Sequence, residues 1–238
     1  MSDLRRFFVE KITEPLVLDG EEFKHAVSVL RIRQGERVIL CDNTGYEYVC
    51  EVTAVNKKDI ALSLIEKRFG DKEPKNKVAL VCGYLKGDKT ELVVQKAVEL
   101  GISEIAVFTS QYSSAYINEN KLLRLNKVSQ EASKQSGRSV YPKVVYLDSF
   151  AKAIEYAKNY ENRLFALEFA DKNQVNFSTL KGSTAIIVGS EGGFSKEESL
   201  LCQKENFSTV YLGKRILRAE TACIALTAIV MQSLLELE

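Results

Sequence analysis

Two stretches near the end of the chain, TAIIVGSEGGFSKEE (residues 184–198) and VYLGKRILRAETACIAL (residues 210–226), decide how the rest is read. In each, a short apolar run breaks into a glycine-bearing loop and a helical pattern then begins. In the first, Gly192 and Gly193 let the backbone approach a ligand closely, and Ser195 with Glu198 three residues on has the spacing of a capping box. In the second, Gly213 opens a loop carrying Lys214, Arg215 and Arg218, and Glu220 sits in the first turn of the following helix, where a carboxylate is favourable. That helix, over 221–235, is apolar nearly all round, which predicts deep burial or a subunit interface. Neither loop is a dinucleotide fingerprint, because GxGxxG is absent. Neither is a phosphate-binding loop, because no GK[ST] follows. Two loops at the carboxyl ends of neighbouring strands predict a backbone-lined pocket for a small polar cofactor.

Upstream, the chain changes character once. Residues 1–68 are mostly strand, with runs at 5–9, 36–42, 47–56 and 59–68, a turn at Asn43-Thr44-Gly45 and one short helix near 21–30. This is the pattern of a small β-barrel. FGDKEPKNK (69–77) has Gly, Pro and charge but no apolar period, and reads as a linker. Beyond it strand and helix alternate: strand from Lys77, helix from Lys89, strand from Glu104, helix over 118–136, strand from Lys143, helix from Phe150 and strand from Arg163. Such alternation predicts an α/β domain, a parallel sheet with helices on both faces.

Composition excludes more than it assigns. The chain has 238 residues, 45% hydrophobic and 27% charged, with a formal net charge of +1, which is ordinary for a globular protein and announces no nucleic-acid binder in bulk. The N-terminus has no signal-peptide pattern and no run approaches a membrane span, so no membrane partner is expected. Five cysteines without CxxC, and a single histidine, make a poor disulfide framework and a poor metal site. Reduced thiols and a cytoplasmic protein without a bound metal are the expectation.

One region is locally basic. Residues 121–143 hold six cations against one acid, and Arg124, Lys127, Glu131, Lys134 and Arg138 recur at three-four spacing. On a helix they would form one stripe able to neutralise phosphates, although a solvated face has the same spacing.

The pair VGSEGGFSKEE and LGKRILRAETA resembles the signature loops of the SPOUT (knotted) RNA methyltransferases, and is most similar to the 16S rRNA uridine-N3 methyltransferase family. HAVSVLR (25–31), KGDKTELVVQKAVELGISEI (86–105) and EASKQSGRSVYPKV (131–144) extend the match in order along the whole chain. Ser190 stands where the family usually has proline, and Ala219 where threonine is common. Altered loop stiffness is the expected consequence.

The resemblance implies a PUA-like β-barrel over 1–70, a SPOUT domain with a deep trefoil knot over 71–238, and a homodimer acting on 16S rRNA of the small ribosomal subunit. It implies S-adenosylmethionine as cofactor, held by Leu167, Gly189, Ser190, Glu191, Gly192, Gly193, Leu212, Gly213, Arg215, Ile216, Leu217 and Arg218. RNA contacts are expected from His25, Arg31, Arg124, Lys127, Lys134, Gln135 and Arg138. Uridine N3 carries a proton that must leave near transfer, so Arg138 is expected to stabilise the charge that develops on the uracil oxygens, with Glu191 as a base or a loop-ordering group. Two other readings stay open from the residues: a non-catalytic RNA-binding protein with a degenerate pocket, and a nucleotide-dependent oxidoreductase.

Overall fold

The computed structural model describes residues 4–113, 115–168 and 174–237. The chain divides into two compact units. The first comprises 1–73 together with 133–141; the second comprises 74–132 and 142–238. The break after Glu73 falls inside the predicted linker, but that stretch is tied down rather than loose. The Glu73 carboxylate is bound within the first unit, and the amides of Lys75 and Asn76 donate to Glu236 within the second. Inclusion of 133–141 in the first unit is a feature that division at a single linker does not foresee.

The first unit is a five-stranded sheet in the order β1 (Arg5–Phe8), β3 (Arg37–Cys41), β4 (Tyr46–Val55), β5 (Ile60–Phe69) and β2 (Val17–Leu18). Between β2 and β3 lies α1 (Gly20–Lys24), continued by one π-turn over His25–Val29. Alternation along β3 and β4 sends Val38, Leu40, Tyr48, Cys50 and Val52 into one apolar cluster with Phe7. It sends Ile39, Cys41 and Val49 into a second cluster with Phe8 and Tyr141, so both faces of the sheet are covered at its centre.

The second unit is a six-stranded, wholly parallel sheet. In chain order its elements are β6 (Val78–Gly83), α2 (Lys89–Glu99), β7 (Glu104–Phe108), α3 (Glu119–Ser136, of which residues 133–136 belong to the first unit), β8 (Val144–Leu147), α4 (Phe150–Ala157), β9 (Asn162–Leu167), β10 (Thr184–Val188), α5 (Lys196–Lys204), β11 (Ser208–Tyr211) and α6 (Ala219–Ser233). Spatial order is β11-β9-β10-β6-β7-β8. Successive residues of β6 and β10 are buried on opposite faces, which is why these strands are unbroken apolar runs. Leu80 and Cys82 pack with α2 and α6, while Ala79 and Val81 pack with α4 and α5. Cys223, Leu226, Val230 and Met231 bury one side of α6, leaving Ile229 on its outer side 37% exposed. All five cysteines are buried and free.

Chain order runs outward from β6 through β7 to β8, then returns to β9 on the other side of β6, and β10 fills the gap between them. The reversal places the carboxyl ends of β9, β10 and β11 together at one edge of the sheet, where open α/β sheets hold ligands.

Candidate functional site

The loop after β10 is a tight turn. Gly193 N donates to Ser190 O at 2.9 Å, and Gly193 takes φ +65°, a backbone region that favours glycine. At Gly192 a Cβ would lie 2.6 Å from the Cβ of Tyr112, so glycine there is demanded by packing against a neighbouring loop. Phe194, next in sequence, is anchored in the core against Phe165 and Phe150, with ring centroids 4.4 and 5.4 Å away. The expected capping box then starts α5: Ser195 Oγ accepts from Glu198 N at 3.1 Å, and Glu198 Oε2 accepts from Ser195 N at 2.8 Å. Anchor and box fix the glycine turn from its C-terminal side.

A carboxylate fixes its middle. Glu191 Oε1 accepts from the Lys86 amide at 3.0 Å and from Lys89 Nζ at 3.3 Å. Partial burial pushes the Glu191 carboxyl up, but the Lys86 amide, its own amide and the Lys89 ammonium outweigh it and hold it below the usual range. Lys89 Nζ also lies 3.9 Å from Glu220 Oε1 at the start of α6, so one ammonium links both glycine-loop units. The other Glu220 oxygen, Oε2, is buried without a hydrogen-bond partner, as is Ser190 Oγ.

These loops enclose a cavity of about 660 Å³ at the carboxyl edge of β9, β10 and β11. Its size is in the range of small-molecule sites. Leu167, Gly189, Ser190, Glu191, Gly192, Gly193, Leu212, Gly213, Arg215, Ile216, Leu217 and Arg218 all line it, so every residue named above for the cofactor is gathered there. Arg215 and Arg218 are exposed, and among the described residues neither has an ion-pair partner. The wall also includes Lys89, Ala166, Glu168, Val188, Phe194, Ser199, Ala219 and Ala222, which sequence reasoning missed. Two of these carried a readable signal. Ala222 lies one helical turn into α6 from Ala219, and Lys89 stands in the KGDK stretch already singled out.

The RNA candidates fare differently. Arg124, Lys127 and Gln135 are exposed on α3, although Arg124 Nε pairs with Glu91 Oε1 at 2.7 Å. In the first unit, Arg31 is exposed at φ +54°, and His25 opens the π-turn, edge-on to Phe7. Lys134 is not on an open stripe: its ammonium is largely buried and pairs with Glu22 at 2.7 Å. Arg138 departs furthest from expectation. The helix ends at Ser136 and Gly137 turns at φ +76°, so Arg138 falls out of the helical phase. It is 3% exposed, and its Nη2 pairs with Glu73 Oε2 at 2.7 Å, while Glu73 Oε1 accepts from the amides of Ser139 and Val140. The stripe read from spacing therefore stops short of Lys134 and Arg138, whose charges are spent inside the first unit.

Comparison with known proteins agrees with this geometry. Residues 71–231 match the RNA methyltransferase domain family, and residues 18–65 match the RNA methyltransferase PUA domain family. The chain is 37% identical to the ribosomal RNA small subunit methyltransferase E of Mesomycoplasma hyopneumoniae, covering 93% of this chain and 96% of that one. It is 32% identical to the protein of the same name from Bacillus subtilis, covering 97% of each. A Neisseria gonorrhoeae ribosomal RNA small subunit methyltransferase E, solved bound to S-adenosylmethionine, superposes with a TM-score of 0.86 at 25% identity, covering 97% of this chain and 98% of that one. A Legionella pneumophila protein described as a methyltransferase, solved with the same cofactor, gives 0.85 at 26% identity and the same coverage.

Proposed function

The chain belongs to the ribosomal RNA small subunit methyltransferase E family, and from that premise we propose that it transfers a methyl group from S-adenosylmethionine to N3 of a uridine in 16S rRNA. The observation that carries this reading is the convergence of both glycine loops on one cavity of about 660 Å³. The residues present fit the cofactor. Nine of the lining residues are glycine, alanine or serine, apolar side chains such as Leu167 and Leu217 stand beside them, and Ser190 Oγ is a buried polar atom lacking a protein partner. When bound, S-adenosylmethionine supplies an already activated sulfonium methyl, so the protein has chiefly to orient the partners and exclude water.

The main chain of 189–193 and 212–217 would hold the cofactor, with Leu167 and Leu217 as apolar walls. Glu191 serves as a clamp. Its ionised carboxylate, held by Lys86 and Lys89, has a low proton affinity and is a poor acceptor for the N3 proton. Solvent takes that proton, and as it leaves, charge spreads onto the uracil oxygens. Arg215 and Arg218, the arginines of the cavity wall, replace Arg138 in our assignment of the group that stabilises it.

The remaining expectations belong to the same reading. Insertion of β10 between β6 and β9 supports the trefoil knot that the resemblance implies. The homodimer that the resemblance implies belongs to the same reading, with Ile229 on α6 and Leu92 on α2, 37% and 41% exposed, as the side chains it would cover. Among the described residues no helix is long and apolar enough to cross a membrane, and we assign the protein to the cytoplasm, with the small ribosomal subunit or its RNA as substrate. Arg124, Lys127, Gln135, His25 and Arg31 would meet phosphates and position the RNA.

The test is mass spectrometry of 16S rRNA from cells lacking the protein, paired with calorimetric titration of S-adenosylmethionine into the purified chain. One methylated uridine should disappear and return on complementation. An unchanged modification profile would overturn the substrate assignment, and absence of cofactor binding would overturn the enzyme.

A further inference from the structure

At one end of the β4–β5 ribbon in the first unit, aromatic rings stand in solvent yet are held in place. Phe69 is 65% exposed and Tyr46 40% exposed. They are directly opposed across the two strands, with ring centroids 5.4 Å apart at 89°. The Phe69 ring lies over Gly45. A Cβ on Gly45 would come within 3.0 Å of the Phe69 ring, so the absent side chain is the seat on which the ring lies. Gly45 has φ +89°, and its carbonyl accepts from Gly70 N at 2.8 Å, which closes the ribbon just beyond the ring.

A cation belongs to the same face. Lys67 opposes Tyr48, and its ammonium lies 4.3 Å from the Tyr46 centroid and 5.2 Å from that of Tyr48. Among the described residues no carboxylate is within ion-pairing distance of Lys67. The neighbouring acid, Glu47, points to the other face and is neutralised there by Arg6 and Arg68. The ribbon therefore presents two pre-set rings and an uncompensated positive charge.

We propose that Tyr46, Phe69 and Lys67 form a stacking site for an unpaired nucleobase of single-stranded RNA, with Lys67 meeting the adjacent phosphate. Bases stack on aromatic faces regardless of sequence, and rigid rings lose little entropy on doing so. The charge favours an anionic polymer over a neutral apolar partner. The inference rests on the RNA-methylating function above, and adds a contact remote in sequence from the basic residues of α3.

Fluorescence anisotropy with a short labelled single-stranded RNA, and with a duplex of the same length, tests it on the full-length chain. Phe69→Ala and Tyr46→Ala should each weaken single-strand binding about tenfold, as loss of a stacking aromatic does elsewhere. Duplex binding and S-adenosylmethionine titration should stay within about twofold of wild type, since the expected loss is confined to the stacked base. Phe69→Tyr keeps a stacking ring and should keep affinity, which separates stacking from misfolding. The proposal is overturned if both alanine variants bind the single strand like wild type. It is equally overturned if they change the sedimentation coefficient instead, because the face then belongs to a second copy of the chain. Failure of the underlying function looks different: wild type itself would then neither bind cofactor nor methylate RNA.

Discussion

Ser190 carries a polar group that the surrounding protein leaves unpaired. Its hydroxyl is buried in the cavity wall, the side chain is 4% exposed, and no protein group hydrogen-bonds it. A buried unpaired hydroxyl costs about 1–3 kcal/mol. Ser190→Ala should therefore raise the stability of the cofactor-free protein by about 1 kcal/mol in urea unfolding. It should also weaken S-adenosylmethionine binding about fivefold in calorimetry, if the cofactor is the missing partner. Equal affinity for both proteins would assign the serine to loop packing alone. Its neighbour Glu191 gives a pH-dependent test. The folded carboxyl lies below its ordinary value of 4.5, so the clamp is fully formed above that value and is lost as pH falls through the lower folded one. Cofactor affinity should be flat from neutral pH down to about 4.5 and decline below it. Lys89→Met removes one of the contacts that lower the carboxyl, and should move that decline to higher pH.

Among the elements, α5 shows how a helix start becomes part of a site. Both members of its capping box are buried, Ser195 at 2% and Glu198 at 8%, so neither bond can be replaced cheaply by water. Ser195→Ala should cost about 1 kcal/mol in urea unfolding, the usual value for an N-cap. Glu198→Ala strands the Ser195 amide as well, and should cost about 2 kcal/mol. This element was legible in the sequence because S-x-x-E acts over one turn, and the capping bonds depend on nothing distant. The strands of the parallel sheet were legible for a similar reason: burial on both faces writes itself as unbroken apolar runs such as AIIV. The end of α3 was not. Three-four spacing carries on through Arg138, and only the turn at Gly137 shows that the helix has stopped two residues earlier. Nor did spacing show that Lys134 has Glu22 for a partner, since the two are 112 residues apart. Periodicity reports which residues share a face; it is silent on what covers that face.

Taken as a whole, the molecule is two cores on a chain that leaves the first and later returns to it, because 133–141 completes a unit otherwise made of 1–73. The returning segment brings more than bulk. Tyr141 stacks edge-on to Phe8 at 4.9 Å, its amide donates to Asn43 at 2.7 Å, and Arg138 neutralises Glu73. Without it Phe8 and Glu73 lose the partners that cover them, and the cluster of Ile39, Cys41 and Val49 loses Tyr141. A fragment of 1–73 should accordingly bind a hydrophobic dye and lack a cooperative thermal transition, although the sequence break at 69–77 makes it look like a complete domain. Within the intact chain, Arg138→Ala leaves the Glu73 carboxylate with amide donors but no countercharge. Breaking such a buried pair costs about 3–5 kcal/mol. Differential scanning calorimetry should place that loss in the first unit. S-adenosylmethionine titration at a temperature where both units remain folded should be unchanged, because the cavity wall is drawn wholly from the second unit. A variant of unaltered stability that nevertheless fails in single-turnover methyl transfer would return Arg138 to the chemistry, and would require its guanidinium to leave Glu73 when RNA binds.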